Sequence, residues 1–159
     1  MAIEKVRNYF KQIGIDDRIL EFNVSSATVE LAAKALETDA NRIAKTLAFK
    51  VDDGAVLIVA AGDAKVDNRK FKDFFHTKAK MLTPEETEAL VGHAVGGVCP
   101  FAVNDTVTGI YLDESLKRFH TVFPACGSAN SAMELTIDEL YKTAKATSYI
   151  DVCKGWQAE

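Results

Sequence analysis

Apolar residues follow two different periods along the chain, and the period predicts where helices and strands lie. Ile3, Val6, Phe10 and Ile13 are three or four residues apart, which is typical of an amphipathic helix, and Gly14 is a suitable stop. Side chains at this spacing share one face of a helix. The first segment is therefore expected to pack that face against a core.

Four later helices are predicted from their start signals and apolar stripes. A start signal is a side chain that can accept hydrogen bonds from the free amide groups of the first helical turn. The first of these starts after Ser25-Ser26 and runs through Thr28–Leu36, and the second is capped by Asp67 and carries Phe71, Phe74 and Phe75. The third is opened by Thr83-Pro84-Glu85-Glu86, and the fourth is opened by Thr136-Ile137-Asp138-Glu139 and continues through Leu140 to Ala144.

A β-hairpin is predicted at the centre of the chain. Lys45–Val51 and Ala55–Ala61 are apolar runs, and Asp52-Asp53-Gly54 between them is a strong turn signal. Further strands are predicted at Ile19–Val24, Val107–Leu112, Phe119–Phe123 and Tyr149–Cys153. Because helices and strands alternate irregularly around this hairpin, we predict an α+β fold with a mixed sheet or partial barrel. A doubly wound parallel sheet fits the order of elements less well.

Length and composition favour one globular domain over residues 1–159. A hydrophobic fraction of 48% and a charged fraction of 26% are ordinary for a folded protein of this length. The net charge of −4 excludes a generally basic nucleic-acid coat, and no apolar run reaches membrane-spanning length. Three cysteines without paired spacing, and a start without a secretory pattern, favour a reducing, cytoplasmic location. Neither a membrane nor DNA is expected as a partner.

The segment Gly92–Phe101 is a glycine-rich loop between a predicted helix and a predicted strand. Its glycines let the backbone turn tightly, so that successive amide groups can point at one oxygen atom. The alternative is a turn that needs small residues only for packing. The loop lacks the lysine of a Walker phosphate loop and contains no GxGxxG pattern.

Lys45 lies on the bulkier apolar side of its predicted strand. Alternation places it on one face with Leu47, Phe49 and Val51. Such a lysine either lines a pocket, where burial would lower its pKa, or sits at a strand end and extends its ammonium into water.

Two further residues of the loop have side chains that can do chemistry. His93 could act as a base or contact a substrate, or it could interact with the last carbonyl groups of a helix. Cys99 could be a nucleophile, but the sequence places no base beside it, and a free cysteine is more often core filling. A metal site of Cys99, His93 and Cys126 matches no zinc spacing, so no metal is predicted.

A local basic region lies between Lys65 and Lys80. It holds six basic and two acidic residues, a charge of +4, which leaves −8 for the rest of the chain. A basic region on an acidic protein suits a polyanion such as RNA. The same lysines could also be only the solvated face of the helix that carries Phe71.

Taken in this order, these segments resemble the YbaK/EbsC family of aminoacyl-tRNA deacylases, free-standing relatives of the editing domain of bacterial prolyl-tRNA synthetases. The matching segments are Arg42-Ile43-Ala44-Lys45-Thr46-Leu47, Ala61-Gly62-Asp63, Val66-Asp67, Gly92–Phe101 with its Gly96-x-x-x-Pro100 loop, Val107–Asp113 and the region of Gly127. The resemblance covers nearly the whole chain. It implies one mixed α/β domain with a curved, largely antiparallel sheet flanked by helices.

The resemblance also implies a function, hydrolysis of the ester that joins a wrong, small amino acid to the 3′ end of a prolyl tRNA. It implies no cofactor and no metal, and it leaves docking on prolyl-tRNA synthetase open. The implied catalytic residues are Lys45 and the loop residues Gly96, Gly97 and Val98. The candidate substrate contacts are Thr46, His93, Cys99, Pro100 and Phe101, and the candidate tRNA contacts are Lys65, Arg69 and Lys70.

Two other functions remain open at this point. One is a module that binds a tRNA 3′ end or a small anion without turnover. The other is a thiol-dependent hydrolase that uses Cys99.

Overall fold

Helices and short strands alternate along residues 2–156, which are the residues that the structure, a computed structural model, describes. The α-helices in this range are α1 (Ala2–Gln12), α2 (Val29–Leu36), α3 (Asn68–Phe75), α4 (Pro84–Val91) and α5 (Ile137–Thr143). The strands there are β1 (Leu20–Glu21), β2 (Ile43–Val51), β3 (Gly54–Ala61), β4 (Lys65–Val66), β5 (Val107–Asp113), β6 (Thr121–Pro124), β7 (Ser131–Ala132), β8 (Leu135–Thr136), β9 (Ser148–Ile150) and β10 (Cys153–Lys154).

The predicted helices are confirmed, and so are the caps predicted at Asp67, Thr83 and Thr136. Asp67 accepts hydrogen bonds from the first-turn amide groups of α3. The cap of α2 is Thr28 rather than the predicted start signal at Ser25-Ser26. Thr83 and Thr136 each form a complete capping box, with Glu86 and Glu139 as the reciprocal partners. None of the helices between residues 2 and 156 is long and apolar enough to cross a membrane.

The hairpin of β2 and β3 is the centre of the fold, as predicted. Its strands are antiparallel from Ala44 opposite Ala61 to Val51 opposite Gly54, with the turn at residues 52–53. Every residue of β3 is buried, because both faces of the strand are covered. Leu57 and Val59 pack into a core with side chains of α1, α4 and α5, while the alternate residues of the strand pack on the opposite face with side chains of α3.

The principal sheet has the strand order β8-β6-β2-β3-β5-β9, and the predicted mixed α/β class is confirmed. The expectation of a largely antiparallel sheet needs correction. Within this sheet the β2–β6, β3–β5 and β5–β9 pairings are parallel, and the β2–β3 and β6–β8 pairings are antiparallel. Long connections cause this, since helices lie between β3 and β5 and between β5 and β9, and a crossover helix returns the chain in the same direction.

Three predicted strands have different bounds in the structure. Only Leu20–Glu21 of the segment Ile19–Val24 pairs, with β7. The segment Phe119–Phe123 becomes β6 from Thr121 onward, because residues 114–118 form a 3₁₀ turn that Asp113 caps. The segment Tyr149–Cys153 is divided between β9, in the principal sheet, and β10, which pairs with β4. The division follows from Asp113, whose carboxylate accepts a hydrogen bond from the Val152 amide at 3.0 Å.

Candidate functional site

A cleft of about 350 Å³ lies along the N-terminal half of β2. Its walls are the start of α2 with the preceding residues 26–28, the loop that follows α4, the segment 81–82, and the chain around β6 and β7. Lys45 and the loop residues Gly96 and Val98 all line this cleft. The lysine and the glycine loop, 51 residues apart in the chain, are therefore brought together.

Lys45 lines the cleft as a half-buried side chain, so the pocket alternative holds for it rather than the strand-end alternative. Its Nζ donates a hydrogen bond to the carbonyl oxygen of Gly62 at 3.4 Å. Burial lowers the pKa of the Lys45 ammonium from its ordinary value, and the carboxylate of Asp63 opposes that shift only in part. Within the described residues, the lining of the cleft has no other charged side chain.

One edge of β2 is open where it meets the cleft. On this edge β6 pairs only with Ile43 and Ala44. Further along, the segment 80–82 bonds to the carbonyl group of Ala48 and the amide of Lys50. A strand alternates the direction of its backbone groups, so the N–H and C=O of Thr46 point to this same edge.

Thr46 also carries an unpartnered polar atom. Its Oγ is buried and has no hydrogen-bond partner among the described residues, although the residue lines the cleft. Because an unpaired buried hydroxyl costs free energy, its presence beside a cleft points to a ligand atom as its partner.

The loop after α4 begins at Gly92, a left-handed residue with φ of 95° that ends the helix. A tight turn follows, closed by a 3.0 Å hydrogen bond from the Gly97 amide to the Ala94 carbonyl. Gly96 occupies its third position with φ of 99°, which a residue with a side chain rarely adopts. The amides of Gly96 and Val98 have no hydrogen-bond acceptor within residues 2–156.

The two interpretations of this loop therefore apply to different residues. The Gly97 amide is already bonded, so it is not a free donor as the sequence led us to expect. A Cβ atom at Gly97 would lie 2.6 Å from the backbone nitrogen of Ser128, so this glycine is required for packing. The Gly96 and Val98 amides remain available to an oxygen atom in the cleft.

The side chain of His93 points into the protein interior and does not line the cleft. It is fully buried, and its Nε2 is 2.7 Å from the carbonyl oxygen of Phe101. A carbonyl oxygen only accepts, so Nε2 must carry the proton, and the unpartnered Nδ1 is bare in the neutral ring. Burial lowers the pKa of His93 and favours that neutral ring. The histidine thus anchors the end of the loop.

Cys99 is also fully buried and away from the cleft. Contrary to expectation a possible base is adjacent, since its Sγ is 3.6 Å from Nε2 of His93. That nitrogen already donates to Phe101, however, and burial raises the pKa of the Cys99 thiol to about 12. A thiol in this state is a poor nucleophile, which opposes the thiol-dependent hydrolase. No group of three His, Cys, Asp or Glu side chains in the described chain is arranged to hold a metal ion.

The remaining loop candidates are buried as well. Phe101 packs its ring edge-on against Phe10 in the core, with centroids 4.8 Å apart. Pro100 lines a second cavity of about 300 Å³ beside Tyr9 and Val103. Neither residue lines the cleft, so both hold the loop against the protein interior rather than face a ligand in the cleft.

The basic residues predicted to contact RNA lie outside the cleft lining. Lys65 is exposed on β4, and Arg69 and Lys70 are in the first turn of α3. The Lys70 ammonium is 3.1 Å from the Asp151 carboxylate and 3.0 Å from the Cys153 carbonyl oxygen. Lys70 is thus occupied by partners within the protein.

Sequence reasoning missed two parts of the cleft wall. Ser26 and Thr28 form one side because the amide of Ser26 bonds to the Ala129 carbonyl, a contact between distant segments. Met81 and Val95 stand at the mouth with 58% and 62% of their surface exposed. Their exposure is a property of the fold, so no pattern in the sequence alone marked them as part of a binding surface.

Comparison with known proteins identifies the family of this chain. The pattern of the aminoacyl-tRNA editing domain matches residues 24–143, a span that includes Lys45 and the whole glycine loop. The chain belongs to this family. A relative from Bacillus subtilis (strain 168), the uncharacterized protein YwhH, is 50% identical over 158 residues, which cover 99% of this chain and 100% of the relative.

Two further similarities connect the family to proline. A proline–tRNA ligase from Geobacillus sp. (strain WCH70) is 34% identical over 102 residues, which are 64% of this chain but only 18% of the ligase. A crystal structure described as a candidate trans-editing enzyme for prolyl-tRNA synthetase superposes with a TM-score of 0.86 at 28% identity. That similarity covers 97% of this chain and 98% of the other.

Proposed function

We propose that this editing-domain protein is a trans-acting deacylase that hydrolyses the ester between a small amino acid and the 3′ end of tRNA-Pro. The observation that carries the proposal is that Lys45, Gly96 and Val98 line one cleft, while the Gly96 and Val98 amides have no acceptor within residues 2–156. The similarity to proline–tRNA ligases supports proline as the tRNA identity. A tRNA substrate implies a cytoplasmic site of action, and one editing domain over residues 1–159 fits the full-length match to the Bacillus relative.

The reaction needs little from the protein, because an aminoacyl ester is activated compared with an amide. A water molecule attacks the carbonyl carbon, with the neighbouring ribose hydroxyl able to position it, and negative charge develops on the carbonyl oxygen. The bond from the carbonyl carbon to the ribose oxygen then breaks, and that oxygen takes up a proton. With water as the net reactant, the products are the free amino acid and a tRNA with its terminal hydroxyl restored.

The loop amides are suited to stabilise the developing charge. Two backbone N–H groups that have no acceptor within residues 2–156 can donate to an oxyanion without first breaking a hydrogen bond there. Removing one such donor in well-studied hydrolases costs about 10²- to 10³-fold in rate. Gly96 and Val98 are our candidates for this role, and Gly97 holds the turn that orients them.

Lys45 supplies the positive charge of the site. Its ammonium can bind the terminal phosphate or the ribose and polarise the ester. Thr46 offers a hydroxyl and two backbone groups at the open strand edge, which suit the polar atoms of the aminoacyl group.

The remainder of the cleft favours a small acyl group. Its walls include the methyl groups of Ala32, Ala44, Ala48 and Ala132, so the interior is mostly apolar and narrow. A size-limited second pocket of this kind removes small side chains that a synthetic site cannot exclude. Met81 and Val95 at the mouth can pack against the terminal adenosine.

The test is a panel of tRNA-Pro charged with Ala, Cys, Ser or Thr, incubated with the protein and with the Lys45→Ala variant. We expect faster loss of at least one amino acid with the wild-type protein, and none above the spontaneous rate with Lys45→Ala. Lys11→Ala is the matched control, because this exposed lysine of α1 is remote in the chain from the cleft residues.

A binding module would give a different result in the same experiment. It would saturate with charged tRNA and leave every ester intact. Unchanged hydrolysis across the whole panel would therefore reject the deacylase.

A further inference from the structure

Two lysines face each other on the small ribbon formed by β4 and β10. In the antiparallel register of this ribbon, Lys65 is directly opposite Lys154. Like charges in directly opposed positions of a strand pair destabilise it. Both residues are exposed, and neither forms a salt bridge within residues 2–156.

The acidic side chains around this ribbon already have partners. Asp63 is bound by both terminal nitrogens of Arg118, at 2.6 and 2.9 Å. Asp67 accepts hydrogen bonds from two amides as the cap of α3, which lowers its pKa, and the positive charge of Lys154 acts in the same direction. Asp151 binds Lys70. The two opposed ammonium groups are thus left to solvent or to an external anion.

The ribbon adjoins the candidate active site. Lys45 bonds to Gly62, three residues before Lys65, and the positive charge of Lys65 contributes to the lowered pKa of Lys45. Arg118 also holds the far end of the ribbon, because it donates to the Trp156 carbonyl at 3.1 Å while it binds Asp63. The two lysines are therefore presented on a fixed support beside the cleft.

We propose that Lys65 and Lys154 together form a subsite for a backbone phosphate of the single-stranded RNA end whose ester occupies the Lys45 cleft. This inference rests on the proposed function, because the position of the RNA end is set by the cleft. A phosphodiester resolves the repulsion between the two ammonium groups, whereas the isolated protein retains it. Lys154 thereby joins the RNA contacts predicted from the sequence, and Lys70 is not needed among them.

The test measures RNA binding without turnover. Uncharged tRNA-Pro is titrated into the full-length wild-type chain and the Lys65→Gln/Lys154→Gln variant at several salt concentrations. We expect the variant to bind about tenfold more weakly, with a slope of log affinity against log salt that is smaller by about 1. Lys11→Gln/Lys142→Gln removes the same charge elsewhere and should stay within about twofold of wild type.

Two additional measurements distinguish a free phosphate ion from an RNA phosphate as the ligand, and the phosphate subsite from the proposed deacylase activity. Inorganic phosphate at millimolar concentration should compete only weakly, since a free ion lacks the rest of the RNA. Aminoacyl-adenosine, which has no phosphate, should be hydrolysed by the double variant at the wild-type rate but not by Lys45→Ala. The wild-type protein could hydrolyse neither charged tRNA-Pro nor aminoacyl-adenosine while the double variant still binds uncharged tRNA-Pro more weakly. That result would support the phosphate subsite and reject the deacylase.

The subsite is overturned if the double variant binds tRNA with the affinity and salt slope of wild type, or loses no more than the Lys11/Lys142 control. Urea unfolding tests whether weaker binding comes only from a loss of folded structure in the variant. Because the opposed charges repel each other, the double variant should unfold at the same or a higher urea concentration than wild type.

Discussion

Single side chains determine what the cleft can hold. Lys45 is half-buried, shares its face of β2 with Leu47 and Phe49, and brings positive charge into an apolar space. Thr46, the next residue of β2, also lines the cleft, and its hydroxyl has no hydrogen-bond partner within residues 2–156. A ligand with an oxygen-rich end and a small apolar part satisfies both residues, and an aminoacyl ester of a ribose has this form.

The pH dependence of deacylation should follow the Lys45 ammonium. Its pKa is lowered from 10.5 mainly by burial, and the site needs the charged form, which is present below the pKa. We expect enzyme-dependent kcat/KM to fall as pH rises through a pKa below 10.5, after subtraction of spontaneous ester hydrolysis. A profile that only rises toward pH 10.5 would show that the ammonium is not required.

The Thr46→Val substitution should change the free energy of unfolding and the deacylation rate in opposite directions. The variant replaces a buried, unpaired hydroxyl by a methyl group of similar size, so the free energy of unfolding should rise by about 1 kcal/mol. Deacylation should weaken because the substrate loses a hydrogen-bond partner. Urea titration and single-turnover kinetics measure the two effects. Loss of stability together with activity would instead indicate that the hydroxyl serves the fold.

Cys99→Ser tests the thiol alternative. With the thiol pKa raised to about 12 and the side chain sealed from the cleft, the deacylase should retain its rate within about threefold. A thiol-dependent hydrolase would lose activity altogether. A rate measurement with the alanyl ester of tRNA-Pro distinguishes the two, with circular dichroism to verify that the serine variant is folded.

At the scale of elements, the proposed site combines the glycine loop with the open edge of β2. In the proposed reaction the loop supplies amide donors and the strand supplies the ammonium. The loop is held from below by the His93 bond to Phe101 and from behind by the contact of Gly97 with Ser128. These contacts explain why residues that never reach the cleft belong to the same motif.

Gly96→Ala should impair catalysis more than stability. A residue with φ of 99° costs about 1–2 kcal/mol once it carries a Cβ, and the turn must reorient its amides to relieve that cost. We expect kcat to fall about 10²-fold. Gly14→Ala is the matched control, because Gly14 has φ of 80° with nothing near its Cβ and ends α1. It should lose similar stability at an unchanged rate, and equal rates in both variants would contradict the role of the loop.

At the scale of the whole molecule, short-range signals predicted more of the architecture than of the site. The hairpin turn at Asp52-Asp53-Gly54 and the predicted caps at Asp67, Thr83 and Thr136 depend on neighbouring residues, and all are present. The parallel pairings of the sheet were missed, because they depend on where crossover helices return the chain.

The candidate site shows the same difference between features set by local sequence and features set by long-range contacts. The phase of the hairpin strand indicated the face of Lys45 correctly, since alternation is a local property. The wall at Ser26 depends on a bond to Ala129, and the position of Lys154 opposite Lys65 depends on a pairing across the chain. No local pattern contains either contact. The burial of His93 and Cys99 was likewise set by tertiary packing rather than by spacing.

The most direct test of the account is whether one ligand touches both halves of the cleft. A non-hydrolysable amide analogue of alanyl-adenosine is titrated into the isotope-labelled protein and followed by amide and lysine side-chain NMR signals. We predict that Gly96, Val98 and the Lys45 ammonium shift with one common Kd, while the Gly97 amide, already bonded to Ala94, stays nearly constant. Shifts of the lysine without the loop amides, or with a different midpoint, would contradict it.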